Sequence, residues 1–523
     1  MKRLTLLGLA LFVVATLNAQ VEDDWLKKMK EEQKDVFKEF EDFKQQAFQE
    51  YENFRRQANE EYARFMEEAW KSFDIKPAEE PPAKPKPPVP LVDNTEPLPE
   101  PSPDQTTEPN PAPRPVQETV RVPNPVEITS LPRPDLSQAE RPKPMEPIVP
   151  SAVPMTAAQN VYLYGSSFSF HLDGFDTPKL MDASEKSVAK MWKQLSGPSY
   201  DNLIAECLQQ RESHNLCDWA YVKLTQQVAE KQFGEGTNEA VLMQMYLLTQ
   251  SGYKMRIGRD NKNHLLLLMG SKESIYLYDY VPIGGTKFYI IDRRYYNRKD
   301  GRTNQRKSLH MFDHVFPKEK TLSLALTQPD LQVEKSEERT IRSKRYPNVS
   351  VTVQTNRHLI DFYNDYPINF NWHYYSLASL SPVIKESLYP ALRKAIEGKT
   401  ELEAANIILN LVQTGFQYQI DQEQFGYERP LYPDETFFYP YSDCEDRSIL
   451  FSCLVRELLG LEVVLLDYPM HIATAICFNQ PVEGDYVVVN GKNYVISDPT
   501  YTNAKVGRCA PRFKTVSPKV IQF

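Results

Sequence analysis

The stretch that decides the fold and the chemistry of this chain is Tyr441-Ser442-Asp443-Cys444-Glu445-Asp446-Arg447-Ser448. Apolar residues at helical spacing follow it, and this run ends at Gly460. The Ser-Asp pair before the cysteine can cap a helix, and acidic residues in the first turn suit the positive end of the helix dipole. We therefore predict a helix from Glu445 to Leu459, with Cys444 at its start.

A histidine and an aspartate follow on separate predicted strands. His471 opens a strand that runs to Phe478, and Asp498 comes just after a strand that ends at Ile496. A helix N-terminus and a nearby imidazole both lower the pKa of a thiol, and a carboxylate orients the imidazole. We therefore predict that Cys444 is a nucleophile, His471 its base and Asp498 the residue that orients the base.

These motifs resemble the core of the transglutaminase-like superfamily, in particular the bacterial transglutaminase-like cysteine proteinases. The Asp-Cys-Glu-Asp start, the Leu-rich helix that ends in glycine, the His strand and the Asp-Pro-Thr strand all match. Two upstream motifs also match, Tyr418-Gln419-Ile420-Asp421 and Tyr432-Pro433-Asp434-Glu435-Thr436. The resemblance covers about residues 376–523 and implies a papain-like α+β core with the Cys-His-Asp triad. Relatives often have a glycine before the Asp-Cys pair, where this chain has the aromatic run 437–441, so the second oxyanion donor stays open.

The chain of 523 residues is too long for one core, and we divide it into six parts. The overall fold class is α+β. The predicted parts are a signal peptide (1–19), a long amphipathic helix (20–75), a Pro-rich linker (76–156), a degenerate transglutaminase-like domain (157–305), a β-rich connecting module (306–375) and a transglutaminase-like catalytic domain (376–523).

The first 156 residues carry three different patterns. Met1-Lys2-Arg3 followed by a short apolar stretch is typical of a secretory signal peptide, with cleavage expected after Ala19. Aromatic residues then recur with an 11-residue period on one face of a charged helix. This stripe suits self-association through residues 20–75, a coiled-coil type of contact, or docking on the chain's own catalytic domains. Residues 77–154 hold 24 of the 41 prolines, which is typical of a disordered, extended spacer.

The degenerate domain is inferred from an internal alignment. Aligning Gly252 with Gly460 places His264 one residue from the position of His471, and it places Asp292 near Asp498. The thiol has no counterpart, because position 444 falls on a glycine. We therefore predict an internal duplication whose first copy keeps the fold and lacks thiol chemistry. Two unrelated α+β units are the alternative.

The composition excludes several function classes. A net charge of −9 argues against nucleic-acid binding, which needs a basic face. We expect no metal and no cofactor, because the chain has no Cys-x-x-Cys, phosphate-loop or dinucleotide motif. Six cysteines do not make a disulfide framework, although Cys207 and Cys217 could form a bridge after export. Cys453 and Cys477 are expected to be small core residues.

We expect an exported cysteine protease or amidase, a hydrolase of periplasmic, secreted or envelope-associated location. Its substrate would be a protein or peptide, with cell-wall peptide as one candidate, and hydrolysis is favoured over acyl transfer. No membrane span is expected after the signal peptide. The alternative is a non-catalytic cell-envelope binding or assembly protein that uses the same scaffold.

Overall fold

The structure is a computed structural model, and residues 1–18 of the predicted signal peptide lie outside its described residues. The described residues are 19–82, 86–87, 89–94, 142–144, 148, 157–172, 177–291, 296–297, 302–303 and 308–523. Side chains are not described for 19–37, 41, 296–297 and 302–303. Within these ranges no helix combines the length and hydrophobicity that crossing a membrane requires.

The described chain is a mixture of helices and mainly antiparallel sheets, as the predicted α+β class requires. The helices are α1 (Ala19–Met66), α2 (Glu185–Leu195), α3 (Ser199–Ser213), α4 (Asp218–Phe233), α5 (Asn238–Gln250), α6 (Arg357–Asp365), α7 (Trp372–Leu377), α8 (Pro382–Ile396), α9 (Glu401–Gly415), α10 (Asp421–Gln424), α11 (Pro433–Phe438) and α12 (Cys444–Leu459). The strands before residue 320 are β1 (Lys71–Asp74), β2 (Gln159–Leu163), β3 (Ser166–Phe170), β4 (Met255–Arg259), β5 (Leu265–Ser271), β6 (Tyr280–Ile283), β7 (Thr286–Ile290), β8 (Tyr296–Asn297), β9 (Arg302–Thr303) and β10 (Ser308–Phe312). The later strands are β11 (Arg339–Arg342), β12 (Ser350–Val353), β13 (Gln417–Tyr418), β14 (Tyr441–Ser442), β15 (Glu462–Tyr468), β16 (His471–Cys477), β17 (Tyr486–Val489), β18 (Lys492–Ser497) and β19 (Lys519–Ile521).

The two larger sheets have the same order of five strands. The first runs β10-β4-β5-β7-β6 and the second runs β19-β15-β16-β18-β17, with antiparallel pairing throughout. In each, a helix precedes the central hairpin and packs on its strands, α5 in the first and α12 in the second. We call residues 157–312 the first sheet unit and residues 376–523 the second sheet unit.

The helices that precede the two hairpins also end alike. Gly460 follows α12 with a φ of 67°, in the left-handed region that favours glycine. Gly252 follows α5 with a φ of 93°, and a Cβ there would also lie 1.9 Å from the carbonyl oxygen of Lys143. The glycines aligned in the sequence therefore occupy matching turns before β15 and β4.

Helix α1 is not separate from the globular part, which corrects the expectation that a proline tether isolates it. Tyr62, Ala63 and Met66 are buried in the largest apolar cluster, and Arg55 forms a 2.5 Å ion pair with Asp201. After the helix, β1 pairs with β10 and adds a sixth strand to the first sheet. Docking on the chain's own domains is thus the observed arrangement for the end of the helix, because its last turns carry apolar residues that complete the first sheet unit's core.

Parts of the predicted linker also lie on the globular surface. The backbone of residue 76 pairs with Tyr280, and the Arg211 guanidinium donates to the carbonyl oxygen of Pro142 at 3.0 Å. Residues 91–93 pair with Thr502. Proline-rich composition cannot build a core of its own, but it allows an extended chain to follow one that already exists.

The predicted β-rich module at 306–375 contains little β-structure. Its first strand, β10, belongs to the first sheet, and β11 and β12 form a two-stranded hairpin. The region after the hairpin is helical, because Asn356 caps α6 through a hydrogen bond from the His358 N–H and the apolar residues that follow lie on one buried face. Helices α8 and α9 follow, at the start of the second sheet unit.

Candidate active site

Acidic side chains fix the start of helix α12. Asp443 is the N-cap residue, and its backbone N–H donates to Asp446 Oδ2 at 3.1 Å. Asp446 Oδ1 accepts a second hydrogen bond, of 2.9 Å, from the N–H of Leu431. The carboxylate of Asp446 thus ties the helix start to the preceding loop. As a result Cys444 is the first helical residue, one position earlier than the predicted helix start.

The predicted base and its orienting acid lie together. His471 is the first residue of β16, and its Nε2 lies 2.8 Å from Asp498 Oδ2. Asp498 Oδ1 accepts hydrogen bonds from the N–H groups of Thr500 and Tyr501, at 2.8 and 3.1 Å. The imidazole also stacks on Phe513, with ring centroids 5.0 Å apart. With Nε2 paired to the carboxylate, Nδ1 is the ring nitrogen left for proton transfer.

Helix α12 and strand β16 are joined one helical turn after the cysteine. Ser448 Oγ donates to the carbonyl oxygen of Ile472 at 3.0 Å, so the residue after His471 is bonded to the residue four positions after Cys444. The thiol itself donates to Glu445 Oε2 at 3.1 Å. Among the described residues, no hydrogen bond joins the thiol to His471. The structure therefore brings His471 and Asp498 into contact, but it does not join Cys444 to His471 by a hydrogen bond.

The thiol does not have the lowered pKa that its helix-start position predicts. Cys444 is 1% exposed, and burial raises its pKa well above the ordinary value. The Glu445 carboxylate raises this pKa further, whereas the ammonium of Lys86 opposes the shift. Burial next to carboxylates outweighs the helix dipole, because it removes the water that would stabilise the charged thiolate and adds like charge beside it. In this conformation the thiol is protonated at neutral pH.

A lysine from the proline-rich segment lies in a pocket of carboxylates beside the thiol. The Lys86 ammonium lies 2.7 Å from Asp443 Oδ2, 2.6 Å from Glu428 Oε1 and 3.6 Å from Asp421 Oδ2, and it also contacts Glu445. We call Asp421, Glu428, Asp443 and Glu445 the acidic pocket. Carboxylates this close could hold a cation, and a lysine ammonium is the cation that occupies them.

The charges in the acidic pocket are strongly coupled. Burial opposes ionisation of Glu445, but the attraction of Lys86 outweighs it, and the pKa of Glu445 is lowered to about 2. Burial and the neighbouring Glu445 raise the pKa of Glu428 to about 7. Burial lowers the pKa of Lys86, but Glu445 and Asp443 together raise it well above the ordinary value. The ammonium and Glu445 are therefore a charged pair, and burial beside them raises the pKa of the other carboxyls of the pocket.

Sequence reasoning missed Lys86 and Glu428. Asp421 lies in one of the quoted motifs, and Asp443 and Glu445 flank the cysteine. Lys86 carries no signal beyond being a lysine among prolines, and 335 positions separate it from Asp421. Its role depends on the path of the linker, which the composition leaves undetermined.

The first sheet unit has a different arrangement at the corresponding place. Helix α5 begins with Asn238, whose side chain accepts from the N–H of Leu265 and donates to the carbonyl oxygen of Asn263, both at 2.9 Å. His264 pairs with Asp260 at 3.1 Å, and half of its side chain is exposed. The predicted partner, Asp292, lies outside the described residues. Here hydrogen bonds close the turn at the place where the second sheet unit has the thiol and the imidazole.

The other cysteines are free. Cys207 and Cys217 are buried and unbridged, so the suggested disulfide is absent from the structure. Burial raises the pKa of Cys453 and of Cys509 to about 12 in each case. Cys453 is a core residue as expected, whereas Cys477 is only partly buried.

No protein-family model matches this sequence, and no curated protein and no solved structure matches it either. The resemblance to transglutaminase-like proteins is therefore an expectation from the sequence motifs alone.

Proposed function

We propose that this chain is an exported thiol hydrolase of transglutaminase-like type that cleaves amide or peptide bonds. The observation that carries the proposal is the buried contact between His471 and Asp498, at the strand end joined to the helix of Cys444 through Ser448. An imidazole whose Nε2 is held by a carboxylate is oriented to exchange a proton through Nδ1.

The proposed reaction uses the triad in two steps. The Cys444 sulfur attacks the substrate carbonyl carbon while its proton passes to His471. The C–N bond then breaks, and the amine leaves with that proton, which gives a thioester. Water, deprotonated by His471, hydrolyses the thioester to a carboxylate and restores the thiol. An amine in place of water would give acyl transfer, and we favour hydrolysis.

The first sheet unit fits a degenerate copy of this core. Its five strands follow the same order as those of the second sheet unit, and matching glycines precede both hairpins. A common order of this kind is what duplication of a papain-like core would produce. We propose that the first copy acts as a scaffold, because it has Asn238 at the helix start.

The alternative function is a non-catalytic binding or assembly role in the cell envelope. It is favoured by the burial of the Cys444 thiol, whose pKa is raised and whose hydrogen bond goes to Glu445.

The test is hydrolysis by the mature chain, residues 20–523, of a mixture of denatured proteins, with new N-termini identified by mass spectrometry. We expect cleavage that Cys444→Ala abolishes and that the matched control Cys453→Ala retains. Equal cleavage by the Cys444→Ala variant would remove the triad from the reaction. If neither protein cleaves any substrate, the binding role is favoured.

A further inference from the structure

Two described stretches of the proline-rich segment, 86–87 and 89–93, contact the candidate site. Lys86 lies at the thiol end, in the acidic pocket, and the carbonyl oxygen of Pro87 accepts a 3.0 Å hydrogen bond from Tyr418. At the other end Leu91 and Asp93 flank a backbone pairing with Thr502, four residues after the aspartate of the triad. One stretch therefore lies near the nucleophile and the other near the orienting acid.

Both ends of this segment are held by charge. Asp93 is 3% exposed, and its carboxylate lies 3.4 Å from the Arg508 guanidinium. Its backbone N–H donates to the Thr502 carbonyl oxygen at 2.8 Å, and the Thr502 N–H donates to Leu91 at 2.8 Å. Between the two ends Val89 is 67% exposed. We call residues 86–87 and 89–93 the strap, which is anchored at both ends.

The acidic pocket surrounds a single cationic group. Asp421 and Asp443 are almost fully buried, and one oxygen of each, Oδ2, faces the Lys86 ammonium. Together with Glu428 and Glu445 they enclose this ammonium, an arrangement that suits a cation with several N–H donors. An ammonium has three.

We propose that the acidic pocket is a binding site for a primary ammonium group, and that Lys86 occupies it as an internal ligand which keeps the Cys444 thiol covered. Displacing Lys86 uncovers the thiol and frees the pocket for a lysine side chain of another protein. The assignment of that lysine to a substrate rests on the proposed function, whereas the binding of the ammonium and the covering of the thiol do not.

The test measures the rate at which iodoacetamide alkylates Cys444. The alkylation of Cys453, measured in the same proteolytic digest, is the internal reference. Lys86→Ala should label Cys444 at least about tenfold faster than the wild-type chain, because removing the strap exposes the thiol. n-Butylammonium chloride should slow this labelling again by filling the vacated space. Tetramethylammonium chloride at equal concentration should not, because it has no N–H donor.

Two further variants keep the test decisive if Lys86→Ala fails to fold. Lys86→Ala combined with Glu428→Gln removes the ammonium together with one carboxyl of the acidic pocket, and it should give the same labelling and the same protection. Asp93→Ala loosens the far anchor and leaves the acidic pocket complete, and it should also speed labelling of Cys444.

Either of two results would overturn the proposal. Labelling of Cys444 at the wild-type rate in all three variants would show that the strap does not cover the thiol. Equal protection by the two ammonium salts would show that the pocket has no preference for a primary ammonium. Neither readout involves turnover, so failure here leaves the hydrolase proposal standing, and loss of the hydrolase proposal leaves this one standing.

Discussion

The two sheet units share a strand order and differ at the start of the helix that precedes the central hairpin. In the first, Asn238 hydrogen-bonds the turn before β5 and closes it. In the second, Cys444 begins the helix and His471 begins the strand, and the ammonium of the remote Lys86 lies among the carboxylates that flank the cysteine. The comparison teaches that the framework sets where a helix start meets a strand end, while a few residues decide whether chemistry can occur there.

The largest expected effect concerns these two helix starts. On the proposed mechanism, Cys444→Ala should lower the rate of peptide hydrolysis by about 10⁴-fold or more, since the thioester would form on the sulfur of Cys444. Asn238→Ala should keep the rate within about twofold, although it loses hydrogen bonds worth about 1 kcal/mol of stability. Steady-state assays of both variants check this, and a large loss in Asn238→Ala would mean that the first sheet unit takes part in the reaction.

The second prediction concerns the carboxylate that orients His471, with His264 of the first sheet unit as the control. Asp498→Asn should reduce kcat by about 10²–10³-fold by misorienting the His471 imidazole, with a smaller change in KM. His264→Ala, whose side chain is half exposed and bonded to Asp260, serves as the control and should leave kcat unchanged. Unchanged kcat in Asp498→Asn would remove the carboxylate from the mechanism.

The third prediction concerns the helix that only the first sheet unit receives. Tyr62 is 2% exposed and packs on Trp192 and Phe312, whereas Phe43 on the same helix is 70% exposed. Tyr62→Ala should lower the free energy of unfolding by about 3 kcal/mol, and Phe43→Ala should change it by less than about 0.5 kcal/mol. Urea unfolding would measure both. Equal effects would mean that the helix does not complete the first unit's core.

The smallest effect concerns a carboxyl of the second sheet unit. Asp434 is fully buried, and burial raises its pKa to about 7. A carboxyl whose folded pKa is raised stabilises the fold below its unfolded pKa and loses that contribution as pH rises to the folded pKa. Asp434→Asn keeps the acceptor for the Ser381 N–H and removes the charge. The free energy of unfolding of Asp434→Asn, measured relative to that of the wild-type chain, should rise by about 1–3 kcal/mol between pH 4 and pH 7. Above about pH 7 this difference should stay constant. Thermal melts across this range check the slope, and parallel pH curves would contradict it.

Much of the second sheet unit follows from local sequence. The spacing of Ile449, Leu450 and Leu454 predicts helix α12, and Gly460 sets its end because a left-handed residue is needed there. The alternating and apolar runs after it predict β15 to β18. The same periodicity does not distinguish a strand from a helix over 357–365, where a cap residue and buried packing decide for the helix.

By itself, the sequence determined the helix start with its cysteine, the histidine and aspartate at the following strands, and the repeated glycine-hairpin pattern. These depend on residues close together in the chain, whose spacing fixes local geometry. Only the tertiary structure decided that the end of helix α1 completes the first unit's core, and that Lys86 lies in the acidic pocket. Both are contacts between residues more than a hundred positions apart, and burial and charge pairing select them after the local elements have formed.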